Sequence, residues 1–256
     1  MSWEIELETD FSDLDSFGNL PISALFFWAQ KCRMQVYISG VLGEFRKSSG
    51  VLMVKAQTFQ FEPLVEPVKA FTNIVVTQKV AAVGKTSMTF ALEFKIKATG
   101  TIFARGIVIM VCVAGGKAQE IPLGIKSSIM AEVSSNGAKL KESLEQEIAK
   151  IQSGLESPSK DQKKSLTMEV LLRLSDEDAN SHVRHTRYVH FFEDALALNE
   201  RRIVPLKVMS VEYVKETRGG EKCLVEMWEN TSEGCARFEM KRDKNGEVVC
   251  KGLARF

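Results

Sequence analysis

One order of elements occurs twice in this chain, and that repetition limits the fold more than any other feature of its 256 residues. Residues 3–9 alternate Trp, Ile and Leu with acids, the mark of a short strand with one buried face. A polar, Asp-containing loop follows, then an apolar helical stretch over 21–37 that opens on Pro21, a residue tolerated in a helix's first turn. Four segments rich in Val, Ile, Phe and Thr come next, at 51–61, 71–83, 87–97 and 102–113. Pro63, Pro67, Gly84, Gly100, Gly115 and Gly116 separate them as turn residues. The second pass has a strand at 166–174, a loop, and a helix in which Val183, Tyr188, Val189, Phe192, Ala195 and Leu196 share a face. Strands at 204–215, 222–229, 236–242 and 248–255 complete it, with Gly219, Gly220, Gly234 and the turn dipeptide Asn245-Gly246 between them. An offset of 163 places Asp13 on Asp176, Asp15 on Asp178, Gly18 on Ser181, Leu20 on Val183, Trp28 on Phe191 and Gln30 on Glu193.

A long helix and a four- or five-stranded meander cover each other only if the sheet curls round the helix, and the exposed sheet edge then calls for a second copy. The expected architecture is therefore α+β: two such units side by side, their sheets joined, each with a long helix wrapped by a curved antiparallel sheet. Residues 1–124 form the first unit and 166–256 the second. Between them, 125–165 turns rich in Ser, Lys, Glu and Gln and reads as a linker. Its helical middle, 138–151, carries Leu140, Leu144, Ile148 and Ile151 as one apolar stripe.

Composition narrows the partners. With 34 basic and 33 acidic residues the net charge is +1, which gives no global attraction to nucleic acid or to an acidic membrane. The longest strongly apolar run, 107–114, is too short to span a bilayer. The N-terminus lacks the basic and apolar regions of a leader, so a cytoplasmic location is expected; a trimmed organellar targeting segment stays open. Five scattered cysteines without a CxxC pair read as buried, reduced thiols.

Chemistry concentrates in the second loop and helix, where all three histidines lie: His182, His185 and His190. Acids and an imidazole beside a helix start, whose first N–H groups lack intrahelical partners, suit the binding of a polarised carbonyl oxygen. Each residue also has a plainer reading. Asp178 and Asn180 suit a helix cap or Asx turn, His182 a hydrogen-bonded core position, and Glu216 a surface ion pair with Arg218 or Lys222. His185 and His190, five apart and without a third ligand, do not suit zinc, and no metal is expected. Arg184, Arg187, Arg201 and Arg202 suit either phosphates or an acidic protein face, or a solvated helix surface. Gly84-Lys85-Thr86 lacks the earlier glycine of a phosphate loop, its place being taken by Lys79, and reads as a hairpin turn; Phe26, Phe27 and Trp28 read as helix core.

The loop from Asp176 to Glu193, D-x-D-x-N-x-H-V-x-H-T-x-Y-V-x-F-F-E, resembles the D-x-N-x-H-V-N-N-x-x-Y pattern of the acyl-ACP thioesterases, enzymes of the hotdog fold. Downstream, VEYVKET at 211–217 is similar to that family's L-E-Y-R-R-E-C, with the family's spacing between His182 and Glu216. The match covers about 166–256. The first half resembles the last strands of single-domain thioesterases, and Asn19 stands where the second half has His182.

The resemblance implies a tandem double hotdog with one site per chain. The first half, its loop stripped of chemistry, would help to form the acyl pocket. It implies hydrolysis of fatty acyl thioesters of acyl carrier protein or coenzyme A to free acid and thiol, as part of lipid metabolism. Asp178, Asn180, His182 and Glu216 would be catalytic, with Glu216 or Asp178 as the base for water, and backbone N–H groups around His182 to His185 would take the oxyanion. His185, Arg184 and Tyr188 would bind substrate, no cofactor is implied, and the chain would act as a monomer of two hotdogs or a homodimer. Arg184 and His185 replace the family's paired asparagines, and Thr217 stands where many relatives have cysteine, which argues against a cysteine nucleophile there. The same fold would also serve a non-catalytic acyl-binding or scaffolding protein, or a hydratase.

Overall fold

The computed structural model describes residues 2–38, 51–63, 68–131, 133, 135–156, 164–200 and 206–256. The chain divides into two compact units, 1–145 and 146–256.

In the first unit, β1 (Ser2–Glu8), β2 (Val51–Phe61), β3 (Asn73–Val83), β4 (Ser87–Ile96) and β5 (Ile102–Ala114) form an antiparallel sheet in the order β1-β3-β4-β5-β2. A two-residue strand, β6 (Lys117–Ala118), pairs with the end of β5. The helix α1 (Ile22–Ile38) packs on β1, β2 and β3. Its fit is aromatic: Phe26 meets Phe59 at 4.6 Å and Trp28 meets Phe103 at 6.5 Å, both edge-on. Phe26 and Trp28 are fully buried as expected, but Phe27 faces outward, with the Lys31 ammonium 4.6 Å from its ring. Successive helix residues point about 100° apart, so three in a row cannot share one face, and here Phe27 is the one turned outward. Gly84 begins the β3–β4 hairpin, its N–H donating to the Ser87 carbonyl at 2.8 Å.

In the second unit, β7 (Leu166–Leu171), β8 (Val208–Tyr213), β9 (Lys222–Asn230), β10 (Cys235–Arg242) and β11 (Val248–Arg255) are also antiparallel, in the order β8-β11-β10-β9-β7. Numbered within each unit, both sheets run first-third-fourth-fifth-second, so the repeat read from the residues is a repeat of topology. The helix α4 (His185–Glu200) packs on β7 and β9. Every residue of the predicted helix face is buried, from Val183 at 6% exposure to Val189, Phe192 and Ala195 at 0%. Phe192 stacks on Phe238 at 5.1 Å and lies over Gly252, where a Cβ would come within 2.7 Å of its ring. Asn245-Gly246 turns β10 into β11, with Gly246 at φ 67°.

Two helices occupy the region read as a linker. The first, α2 (Leu123–Met130), was not foreseen. The second, α3 (Ser135–Glu156), extends the expected helix at both ends, and the boundary between the units falls inside it. Within the first unit, Gly137 seats against Ala81, where a Cβ would lie 3.2 Å from the Ala81 Cα. In the second, Ile151 packs with Val208 and Cys235, and Arg255 bonds to Glu147. No helix among the described residues is long and apolar enough to cross a membrane.

Candidate active site

The site is built on the loop between β7 and α4. A 3-10 turn, Leu174–Asp176, opens it; the buried Asp176 carboxylate accepts the Arg173 N–H at 2.9 Å and lies 2.9 Å from Arg187 Nε. The chain then closes on itself: Asp178 N–H donates to the His182 carbonyl at 2.8 Å, and Ser181 N–H to the Asp178 carbonyl at 3.1 Å. Asp178 Oδ1 accepts the Asn180 N–H at 2.7 Å, the Asx turn that its residue type favours. Ser181 pays for this closure with a left-handed backbone, φ 59°.

The β8–β9 loop meets it. Val183 N–H donates to the Thr217 carbonyl at 2.9 Å, and Gly219 N–H to Glu177 Oε1 at 2.7 Å. Gly219 has to be glycine, because a Cβ there would come within 2.9 Å of the Leu174 backbone. These bonds bring His182 and Glu216, 34 positions apart in sequence, face to face: Nε2 and Oε2 are 3.2 Å apart. The imidazole is 28% exposed and the carboxylate 50% exposed, so both are open to a small molecule. Asp178 and Asn180 are exposed on the same loop.

Other expectations change. Tyr188, expected to bind substrate, is 3% exposed, and its hydroxyl shares a 2.7 Å hydrogen bond with the fully buried Thr217. Burial, only partly offset by that bond, raises its phenol well above the usual range. Its place on the apolar face of α4, four residues before Phe192, turns it inward. Arg187 is committed to Asp176 and to the face of Phe191, 5.8 Å away, rather than to a phosphate. Arg184 is exposed, with Nε donating to the Glu177 carbonyl at 3.0 Å. His185 is half-buried and meets Tyr213 edge-on at 5.7 Å. His190 lies near Glu193, and burial followed by the Arg187 charge lowers its pKa. Among the amides expected to take an oxyanion, those of Val183 and Arg184 are spent on the Thr217 and Asp176 carbonyls, both at 2.9 Å. Arg201 and Arg202 lie outside the described residues.

Arg242 was missed. Its Nε donates to Glu221 at 2.7 Å, and its other nitrogens bond to Glu247 and to the Glu216 carbonyl, so it anchors the β8–β9 loop at Glu216.

The loop of the first unit has the same skeleton. Asp15 N–H donates to the Asn19 carbonyl at 2.8 Å and Gly18 N–H to the Asp15 carbonyl at 3.0 Å, while Asp15 Oδ1 accepts from Phe17 and Asn19. Asp13 accepts the Asp10 N–H at 3.0 Å, as Asp176 accepts that of Arg173. The scaffold is retained, and the imidazole is replaced by Asn19.

The second unit thus sets an acid beside an imidazole on two partly exposed loops, a pair able to take up and return a proton, and the segment that carries them has known counterparts. Residues 159–256 match the family described as the acyl-ACP thioesterase C-terminal domain, so the resemblance carried by His182 and Glu216 is that of the whole segment around them. Two solved structures share the fold over both units. An acyl-ACP thioesterase from Bacteroides thetaiotaomicron is 16% identical with a TM-score of 0.77, covering 100% of this chain and 97% of its own. A 12:0-ACP thioesterase from Umbellularia californica is 14% identical with a TM-score of 0.77, covering 99% and 96%. No curated protein matches the chain in sequence. The family match is confined to the second half of the chain, and the two structures show a shared fold.

Proposed function

We propose that the chain is a tandem double hotdog that hydrolyses fatty acyl thioesters of acyl carrier protein or coenzyme A to free acid and thiol, with one site, in the second unit. The observation that carries this reading is the 3.2 Å approach of His182 Nε2 to Glu216 Oε2, within the segment that matches the thioesterase domain.

Thioester hydrolysis needs a water relieved of a proton and a donor for the carbonyl oxygen that becomes negative. Glu216 is the base. Its half-exposed carboxylate lies beside an imidazole, whereas Asp178 already commits one oxygen to the Asn180 N–H. Water loses its proton to Glu216 as its oxygen attacks the carbonyl carbon. The C–S bond then breaks, and the departing sulfur takes the proton back as thiol. His182 and Asn180 orient the water and the thioester, and Asp178 holds the loop on which both stand. The similarity to the 12:0-ACP thioesterase of Umbellularia californica supports a fatty acyl chain on a carrier protein as the first substrate to try.

Thiol release from a panel of acyl-ACP and acyl-CoA thioesters tests the reading. Wild type should hydrolyse at least one carrier series, and Glu216→Gln should lose about 10²–10⁴-fold in kcat. Asp178→Ala, which removes the acceptor of the Asn180 N–H, should lose activity as well, whereas Asp15→Ala in the first unit should leave kcat unchanged. A folded wild-type chain that binds acyl thioesters on either carrier without cleaving them would overturn hydrolysis in favour of acyl binding.

A further inference from the structure

The pairing of His182 with Glu216 depends on how two short segments are held side by side, and one residue holds both. Thr217 follows Glu216, and its carbonyl accepts the N–H of Val183, which follows His182, at 2.9 Å. Two dipeptides bonded in this way bring their preceding side chains together, which is the origin of the 3.2 Å approach. The Thr217 side chain does something separate. It is fully buried, and its Oγ1 lies 2.7 Å from the hydroxyl of Tyr188, one turn into α4 and 3% exposed.

A buried pair of hydroxyls is a costly way to fill space, because each loses water and regains only the partner. Valine and phenylalanine would occupy the same volume without that cost. What the hydroxyl pair adds is direction: it fixes the rotation of Thr217, and so the direction in which Glu216 leaves the β8–β9 loop, relative to the helix whose first turn follows His182. Ser181, at φ 59°, leaves that loop little freedom to compensate on its own side.

We infer that Tyr188 and Thr217 form a positioning clamp that sets the His182–Glu216 geometry from beneath the site without touching substrate. The inference rests on the proposed hydrolysis for its kinetic readout alone.

The test uses the full chain with Tyr188→Phe, Thr217→Val, Thr217→Ser and the Tyr188→Phe/Thr217→Val double variant. It measures kcat and KM separately, together with the imidazole ¹⁵N signals of His182. Tyr188→Phe and Thr217→Val should each lower kcat by about tenfold or more, with KM changed by less than about threefold, as expected when a transition-state contact is misplaced. Thr217→Ser, which keeps the hydroxyl, should recover most of the rate. The double variant should be no slower than the worse single one, because both remove the same bond. The His182 signals should move in Tyr188→Phe and Thr217→Val and stay in place in Thr217→Ser. Tyr188→Phe removes a single oxygen, so it supplies a folded variant even where Thr217→Val does not. Unmoved His182 signals in folded Tyr188→Phe overturn the clamp, whatever the rate. If wild type hydrolyses nothing, the thioesterase reading falls, and the ¹⁵N signals still decide the clamp.

Discussion

Ser181 holds φ 59° in the second loop where Gly18 holds 78° in the first, under the same pair of closing hydrogen bonds. A side chain in the left-handed region costs about 1 kcal/mol that glycine avoids. Ser181→Gly should therefore raise the melting temperature by about 2–4 °C, and Gly18→Ser should lower it by a similar amount, as thermal unfolding will show. Glu226 makes a second residue-scale test. Lys164 and then Lys241 bond to its carboxylate, the latter at 2.6 Å, and hold its pKa below the ordinary value. A carboxyl whose folded pKa is depressed contributes stability above its unfolded pKa, and that contribution is lost as pH falls through the folded value. Glu226→Gln should be about 1 kcal/mol less stable than wild type at pH 7, with the gap closing below about pH 4 in urea melts. At this scale the sequence showed His182 and Glu216, because two motifs kept their register. It hid Tyr188 with Thr217, and Arg242 with Glu216, because bonds that reach across 29 and 26 positions leave no periodic trace.

Elements were legible wherever a strong pattern had clear punctuation. Strands β2 and β11 begin and end at the residues read from the sequence, each opening on valine, and α3 carries the expected stripe, with Leu144 and Ile151 buried. Helix α2 escaped because its eight residues are too few to show a period: Ile129 is buried at 6%, but Leu123 is 81% exposed and Met130 55%. A strand interior also conceals its reason for glycine. Gly252 reads as a weak point in β11, yet it is the seat of the Phe192 ring of α4, which also stacks on Phe238. Gly252→Ala should push that ring away and cost about 1–3 kcal/mol, measured by denaturant unfolding. Losing the seat of Phe192 should loosen α4 as a whole, so hydrogen exchange along α4 should rise with it.

At the scale of the molecule the repetition was the most legible property, because a repeat shows itself twice. Identical strand order in the two sheets, and hydrogen bonds shared by the Asp15 and Asp178 loops, give it physical content. Within the two loops the backbone bonding is shared and the side chains differ, Asn19 against His182 above all, so the chemical groups differ on a common frame. The five thiols follow from the same close packing. Cys32 and Cys112 lie in the first unit and Cys223, Cys235 and Cys250 in the second, all of them buried and unpaired. Burial pushes Cys32 up to about 12 and Cys223 up to about 11, so at pH 8 only about 10⁻⁴ of the Cys32 side chains are thiolate. The native chain should thus resist alkylating reagents and mild oxidants, and each thiol becomes a reporter that reacts only when its own surroundings open. Mass spectrometry of the order in which the five are labelled would then time the opening of one unit against the other.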